Sequence, residues 1–201
     1  MAIRAVFFDF GGVIMRTEYQ APRQKLAERF NMDYEEIDKA VFNSESARRA
    51  SLGEIAEDEH WMNVLKRFHL PATESKPFRD QFFGGDIIDR ELIEYIRSLR
   101  GSIQTGLISN AWSGLRDFLA KEKLLDLFDT VVISAEVGAV KPSDRIYQIA
   151  LEKASVSARE SVFVDDFPEN VAACQKVGMT GILFDDSEKS LERLHRVLKS
   201  K

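Results

Sequence analysis

Apolar residues along this chain follow two different patterns. Five short runs show no polar alternation: Ile3–Phe8, Ile103–Ile108, Thr130–Ser134, Ser161–Val164 and Gly181–Phe184. Short runs rich in Val, Ile, Leu and Phe are expected for strands covered on both faces, as in parallel sheets. Between the later runs the apolar spacing changes to three and four. That spacing predicts helices over Trp112–Lys123, Asp144–Ala154, Pro168–Val177 and Leu191–Lys199, with another over Glu91–Arg100 before the second run. Strands alternating with helices predict an α/β fold, a doubly wound parallel sheet of Rossmann-like type.

The stretch from Pro22 to Gly84 breaks the alternation. Arg23–Phe30, Tyr34–Phe42, Glu54–Phe68 and Glu74–Phe83 all carry helical spacing, punctuated by Asn31, Gly53, Pro71 and Pro77. The expectation is a core of residues 1–15 and 86–201, with a small helical domain of residues 16–85 inserted after the first strand. Hinges are expected near Val13–Glu18 and Phe83–Asp86, where Gly84-Gly85 can absorb backbone rotation. Phe42, Trp61, Leu65, Phe68, Phe78 and Phe82 read as packing of that insertion.

Composition narrows the function classes. The 201 residues are 44% hydrophobic and carry a net charge of −5, so neither nucleic acid nor an anionic membrane is the expected partner. A single cysteine, Cys174, excludes an intrachain disulfide. The apolar run Ala5–Phe8 is too short for a signal peptide or a membrane span, and the expected location is cytoplasmic. The three histidines, His60, His69 and His195, lack metal-ligand spacing.

The candidate chemistry lies at the strand ends. The first run ends in Asp9, the second in Ser109-Asn110, and the fourth in Asp165-Asp166 with Asn170 beyond. Val140-Lys141-Pro142 follows the third. In an open parallel sheet these clusters meet along one edge, where such folds bind ligands. Carboxylates gathered there repel one another unless a cation joins them. Oxygen-only ligands suit Mg²⁺, which commonly bridges carboxylate and phosphate. A lysine, a hydroxyl and a backbone N–H would hold the other phosphate oxygens. One carboxylate then remains to attack phosphorus. Taken singly, each piece has an ordinary explanation: an Asp-Gly turn, a helix N-cap, a proline at a helix start, a solvated acidic loop. Their ordered recurrence on four strand ends is what turn chemistry does not explain. The residues alone do not divide the roles of Asp165 and Asp166.

The ordered motifs DFGGV, SN, KP and DDFPEN resemble the haloacid dehalogenase-like (HAD) hydrolase superfamily over nearly the whole chain. The segments LGEI (Leu52–Ile55) and KPSDRIY (Lys141–Tyr147) are similar to the subgroup that contains bacterial α-D-glucose-1-phosphate phosphatase. The resemblance implies a hydrolase that is a Mg²⁺-dependent phosphatase, acting on a small phosphorylated metabolite such as a sugar phosphate through an aspartyl-phosphate. It implies that Asp9 is the nucleophile and a metal ligand, and that Gly11 gives its backbone carbonyl to the metal. Ser109 and the Asn110 backbone would bind the phosphoryl group, and Lys141 would neutralise charge between it and Asp9. Asp166 would ligate Mg²⁺, Asp165 would hold metal-bound water, and Asn170 would support that loop. The helical insertion would be the cap that selects substrate.

One residue departs from the resemblance. Most phosphatases of the superfamily carry a second Asp two places after the nucleophile, as proton donor to the leaving oxygen; this chain has Gly11. Three readings are open: a leaving group that needs little help, another acid such as Glu18 or a residue of the insertion, or a phospho-ligand binder with weak or no catalysis. Dehalogenases usually carry Tyr at this place, which disfavours that activity. The kinase DFG signature is excluded by its position at residue 9, with no glycine-rich loop before it. A receiver domain is excluded by the order of its acids. In the insertion, Arg48 and Arg49 are candidates for a sugar or a second anionic group, although helix-face arginines are more often solvated.

Overall fold

The computed structural model describes residues 2–199. In chain order the strands are β1 (Ala5–Phe8), β2 (Met15–Thr17), β3 (Asp86–Ile88), β4 (Gln104–Ser109), β5 (Thr130–Ile133), β6 (Ser161–Asp165) and β7 (Thr180–Leu183). The helices of the insertion are α1 (Ala21–Arg29), α2 (Tyr34–Phe42), α3 (Glu45–Ser51), α4 (Glu57–Arg67) and α5 (Ser75–Phe82). Those that follow are α6 (Arg90–Leu99), α7 (Leu115–Lys121), α8 (Ser134–Val137), α9 (Asp144–Ala154), α10 (Pro168–Val177) and α11 (Ser187–Lys199).

Five strands form a parallel sheet in the order β5-β4-β1-β6-β7. Successive side chains of a strand face opposite sides, and β1 shows the consequence. Val6 and Phe8 pack with Leu92, Ile93 and Ile96 of α6, Leu119 of α7 and Leu194 of α11. Ala5 and Phe7 pack on the other face with Ile146, Tyr147 and Ala150 of α9 and Ala173 and Cys174 of α10. Both faces are therefore dry, which explains why the strand runs carry no polar alternation. Among the described residues, no helix is long and apolar enough to cross a membrane.

The insertion has its own apolar cluster. Leu26 of α1, Ile37 and Val41 of α2, Trp61, Val64 and Leu65 of α4, and Phe78 and Phe82 of α5 are all buried within it. Two features differ from the sequence expectation. Helix α3 has little apolar spacing to announce it. Ser44 caps it by accepting the Ala47 N–H (3.1 Å), and only Ala47 and Ala50 are buried. The two crossing segments, where hinges are expected, pair antiparallel as β2 and β3, with Thr17 opposite Asp86, a ladder not expected from the sequence. Three-residue strands bearing Arg16, Thr17 and Asp86 carry no recognisable period.

Helix ends also moved for identifiable reasons. Helix α11 starts at Ser187 rather than Leu191, because the Asp186 carboxylate accepts the Lys189 N–H (2.9 Å). Helix α7 starts at Leu115 rather than Trp112, because Trp112–Gly114 turns toward the insertion instead.

Arg23 ties the insertion to the β2–β3 crossing. Its guanidinium donates twice to Asp86 (both 2.9 Å), once to Asp38 (2.7 Å) and once to the Phe82 carbonyl (3.0 Å), and it lies 4.3 Å over the Phe82 ring. Asp86 also accepts the Thr17 hydroxyl (2.7 Å). Arg23 and Asp86 are both buried at 7% side-chain exposure. Removing one partner of a buried pair strands the other charge, so Arg23→Ala is expected to destabilise the protein by about 3–5 kcal/mol. In urea denaturation the Arg23→Ala/Asp86→Ala pair should cost clearly less than the sum of the singles. Additive losses would contradict this account.

Candidate active site

Strand β1 lies between β4 and β6, so its C-terminal end has a motif on either side. Phe8 pairs with Leu107 and Val164, and Asp9 follows it with its N–H donated to the Val164 carbonyl (2.9 Å). Ser109 closes β4 and is buried. Asp165 closes β6 and is fully buried.

Lys141 joins these ends. Its ammonium lies 2.7 Å from Asp9 Oδ2 and 2.6 Å from Asp165 Oδ2, with the side chain 1% exposed. Its backbone is clamped by Asn110, which donates Nδ2–H to the Lys141 carbonyl (2.9 Å) and accepts the Lys141 N–H on Oδ1 (2.7 Å). Asp165 is held on its other oxygen by the Phe167 N–H (2.8 Å) and by Asn170 Nδ2 (3.0 Å). Asn170 in turn receives the Tyr147 hydroxyl on its backbone carbonyl (3.0 Å). Asp9 Oδ1 accepts the Phe10 N–H (2.7 Å).

The charges do not balance. Asp9, Asp165 and Asp166 each offer a carboxylate oxygen, all within 4.8 Å of one another, against one ammonium. Burial pushes the Asp9 carboxyl above its usual range; Lys141 opposes the shift and Asp165 reinforces it. Burial, followed by Asp165, raises Asp166 to about 6. Asp166 Oδ1 is buried without any hydrogen-bond partner. Orphaned buried carboxylate oxygens are uncommon and call for a missing partner. Three hard oxygen donors with one oxygen unclaimed fit a divalent cation of the Mg²⁺ type.

The two adjacent acids differ in their surroundings. Asp165 accepts three hydrogen bonds from Lys141, Phe167 and Asn170. Asp166 is half-buried and has the unclaimed oxygen. The structure thus brings Asp9, Lys141, Asp165, Asp166 and Asn170 into contact. Asn110 is joined to them through the Lys141 backbone, and Ser109 lies at the same sheet edge.

The double glycine separates into two cases. Gly12 has φ +80°, and a Cβ there would lie 2.1 Å from Asp166 Oδ2. Gly12 is therefore the point where the loop after Asp9 and the Asp165-Asp166 loop meet, a role not read from the sequence. The adjacent glycines drew attention only to Gly11. A Cβ on Gly11 would meet nothing within 4 Å.

The other candidates are committed elsewhere. Arg48 pairs with Glu45 (2.8 Å) and Glu54 (3.8 Å), and Arg49 with Glu54 (3.6 Å), all on the surface. Glu18 is half-exposed and pairs with Arg16 (3.3 Å). His60 is buried, with Nδ1 2.9 Å from the Ser46 hydroxyl.

A profile of a hydrolase family, the haloacid dehalogenase-like hydrolases, matches residues 3–178. A sesquiterpene phosphatase of Aspergillus oryzae is 28% identical over 200 residues, covering 97% of this chain and 96% of the relative. Among solved structures, a HAD-like family hydrolase from Porphyromonas gingivalis superposes with a TM-score of 0.79 at 24% identity, covering all of both chains. A HAD family enzyme from Bacteroides thetaiotaomicron, in complex with magnesium and inorganic phosphate, superposes with a TM-score of 0.76 at 19% identity. It covers 90% of this chain and 94% of that one.

The two glycines should respond differently to the same change. Gly12→Ala combines an unfavourable φ with the Asp166 clash and is expected to cost about 1–3 kcal/mol. Gly11→Ala enters open space and should stay within about 0.5 kcal/mol of wild type. Chemical denaturation of both variants checks this; equal losses would contradict the geometry.

Proposed function

The chain belongs to the haloacid dehalogenase-like hydrolase family, and on that premise we propose that it is a Mg²⁺-dependent phosphatase acting through an aspartyl-phosphate on Asp9. The observation that carries the reading is the buried Lys141 ammonium between Asp9 and Asp165, beside an Asp166 oxygen without a partner. The magnesium and phosphate bound by the Bacteroides enzyme of the same fold support it.

In this reading the Asp9 and Asp166 carboxylates and the Gly11 carbonyl hold the metal. When bound, Mg²⁺ supplies positive charge to the phosphoryl oxygens and lowers the repulsion that an anionic nucleophile meets. Lys141 fixes Asp9 by one oxygen and contributes charge beside the transferring group. The Ser109 hydroxyl and the Asn110 backbone N–H hold further phosphoryl oxygens, since the Asn110 side chain is occupied by Lys141. Asp165 orients Lys141, and Asn170 orients Asp165. An Asp9 oxygen forms the new bond to phosphorus as the bond to the leaving oxygen breaks. Water then attacks phosphorus, the bond between phosphorus and the Asp9 oxygen breaks to return the carboxylate, and inorganic phosphate leaves with the proton lost by that water ending on phosphate or solvent. The helical insertion, residues 16–85, serves as the cap over a core of residues 1–15 and 86–201 and excludes bulk water.

The leaving group is narrowed by Gly11. With Glu18 paired to Arg16 and no side chain at residue 11, the protein has no assigned proton donor for the departing oxygen. The substrate is a small phosphomonoester whose leaving oxygen is weakly basic, such as the anomeric oxygen of a sugar phosphate. Arg48 and Arg49 are left out of its recognition because Glu45 and Glu54 already engage them.

Hydrolysis of p-nitrophenyl phosphate, whose leaving group needs no proton, is expected to require Mg²⁺, to stop with EDTA and to fall to background in Asp9→Asn. Full turnover in Asp9→Asn would defeat the proposal. A Cβ at Gly11 meets nothing within 4 Å, and Gly11→Asp supplies the missing acid. It is expected to raise turnover of simple alkyl phosphates by about 10²-fold or more and to leave p-nitrophenyl phosphate little changed. An equal effect on both substrates would contradict the leaving-group argument.

A further inference from the structure

The loop after β4 carries Asn110 and then packs against the insertion before α7 begins. Its first part is fixed by the core. The Ser134 hydroxyl accepts the Ala111 N–H (3.0 Å) and donates to the Ala111 carbonyl (3.1 Å). Its second part is fixed by the insertion, and mostly by one side chain. Glu57, the first residue of α4, accepts the Gly114 N–H on Oε2 (2.9 Å). Its Oε1 accepts the Trp61 indole N–H (3.0 Å) and an Arg79 N–H (2.6 Å). The Glu57 N–H reaches the Ser113 hydroxyl oxygen (3.3 Å).

Two further observations mark this junction as built. A Cβ on Gly114 would lie 2.3 Å from Glu57 Oε2, so a larger residue would push the carboxylate off this backbone N–H. Between these anchors, Trp112 enters the aromatic cluster of the insertion. Its ring centroid lies 4.3 Å from His60, 5.4 Å from Trp61 and 5.8 Å from Phe42. The Glu57 side chain is only 15% exposed, so its hydrogen bonds are made largely out of water and are strong for that reason.

We propose that Glu57 is a positioning residue, which sets the 110–114 loop and through it the register of Asn110 and Lys141 against Asp9. The path is continuous: Glu57 to the Gly114 N–H, along four residues to Asn110, across two hydrogen bonds to the Lys141 backbone, and from its ammonium to Asp9 and Asp165. Docking of the insertion and assembly of the phosphate-binding edge are then one event. A core without a docked insertion lacks the acceptor that holds Gly114 and the slot that holds Trp112. The catalytic consequence rests on the phosphatase reading above; the loop-holding claim does not.

Three variants separate positioning from plain stability. Glu57→Gln keeps an oxygen acceptor for the Gly114 N–H, loses the charge facing Arg79 and, with its NH₂ in place of Oε1, loses the Trp61 indole bond as well. Arg79→Met loses the same ion pair and leaves the loop contact intact. Glu57→Ala loses both. Amide hydrogen exchange of the peptide spanning 110–114, well below the melting transition, should quicken about tenfold or more in Glu57→Ala. It should stay near wild type in Arg79→Met and Glu57→Gln. For p-nitrophenyl phosphate, kcat should fall about 10- to 10²-fold in Glu57→Ala and stay within about threefold in the other two, although all three lower the melting temperature. Exchange unchanged in Glu57→Ala, or kcat losses that follow melting temperature across the series, would overturn the proposal. If the wild type hydrolyses no phosphomonoester, the phosphatase reading fails, and the exchange experiment still decides whether Glu57 holds the loop.

Discussion

A single buried ammonium organises this molecule. Lys141 lies between Asp9 and Asp165, almost fully removed from solvent. Burying an ion costs several kcal/mol unless its partners and geometry compensate. The fold meets that cost by fixing the lysine at both ends: Asn110 clamps its backbone, and two strand-end carboxylates receive its charge. Asp165 is itself held by Asn170 and the Phe167 N–H, and Asn170 by Tyr147. Strand ends 156 positions apart in sequence, at Asp9 and Asp165, thus depend on one cation. That cation leaves a negative excess at Asp9 and Asp166, and an excess of hard oxygen donors of this kind fits a divalent metal.

The parallel sheet is the means of assembly. Strands β4, β1 and β6 end side by side, so a few residues past each strand suffice to build a site. No long side chain other than Lys141 must cross it. The insertion adds a second layer, and its contact with the edge runs from Glu57 to Trp112 and Gly114, three and five residues after Ser109. The loop that carries Asn110 is consequently shared between core and insertion. The β2–β3 ladder and the Arg23–Asp86 pair fix where the insertion leaves and re-enters the core.

Much of this could be read in the sequence, for reasons that lie in particular residues. The five parallel strands were legible because helices cover both faces, which removes polar residues from runs such as Ala5–Phe8. Asp9, Lys141 and the Asp165-Asp166 pair were legible because charged residues rarely follow such runs in this order. Other parts carried no periodic signal. The three-residue strands β2 and β3 are too short and too polar, and α3 buries only two alanines. Trp112 looked like the start of an amphipathic helix because its partners His60, Trp61 and Phe42 lie far away in the sequence. The role of Gly12 depends on Asp166, more than 150 positions later, and no local rule connects them. The different surroundings of Asp165 and Asp166 are likewise a matter of tertiary hydrogen bonding.

The central claim is that Asp9, one of the two carboxylates held by Lys141, takes up phosphorus. The most direct test is a rapid acid quench during turnover with Mg²⁺ and p-nitrophenyl phosphate, followed by mass-spectrometric mapping of peptides. The account predicts a phosphoryl group on Asp9, with none on Asp165, Asp166 or Ser109. Product formation with no phosphorylated protein, or with the phosphoryl group on another residue, would contradict it.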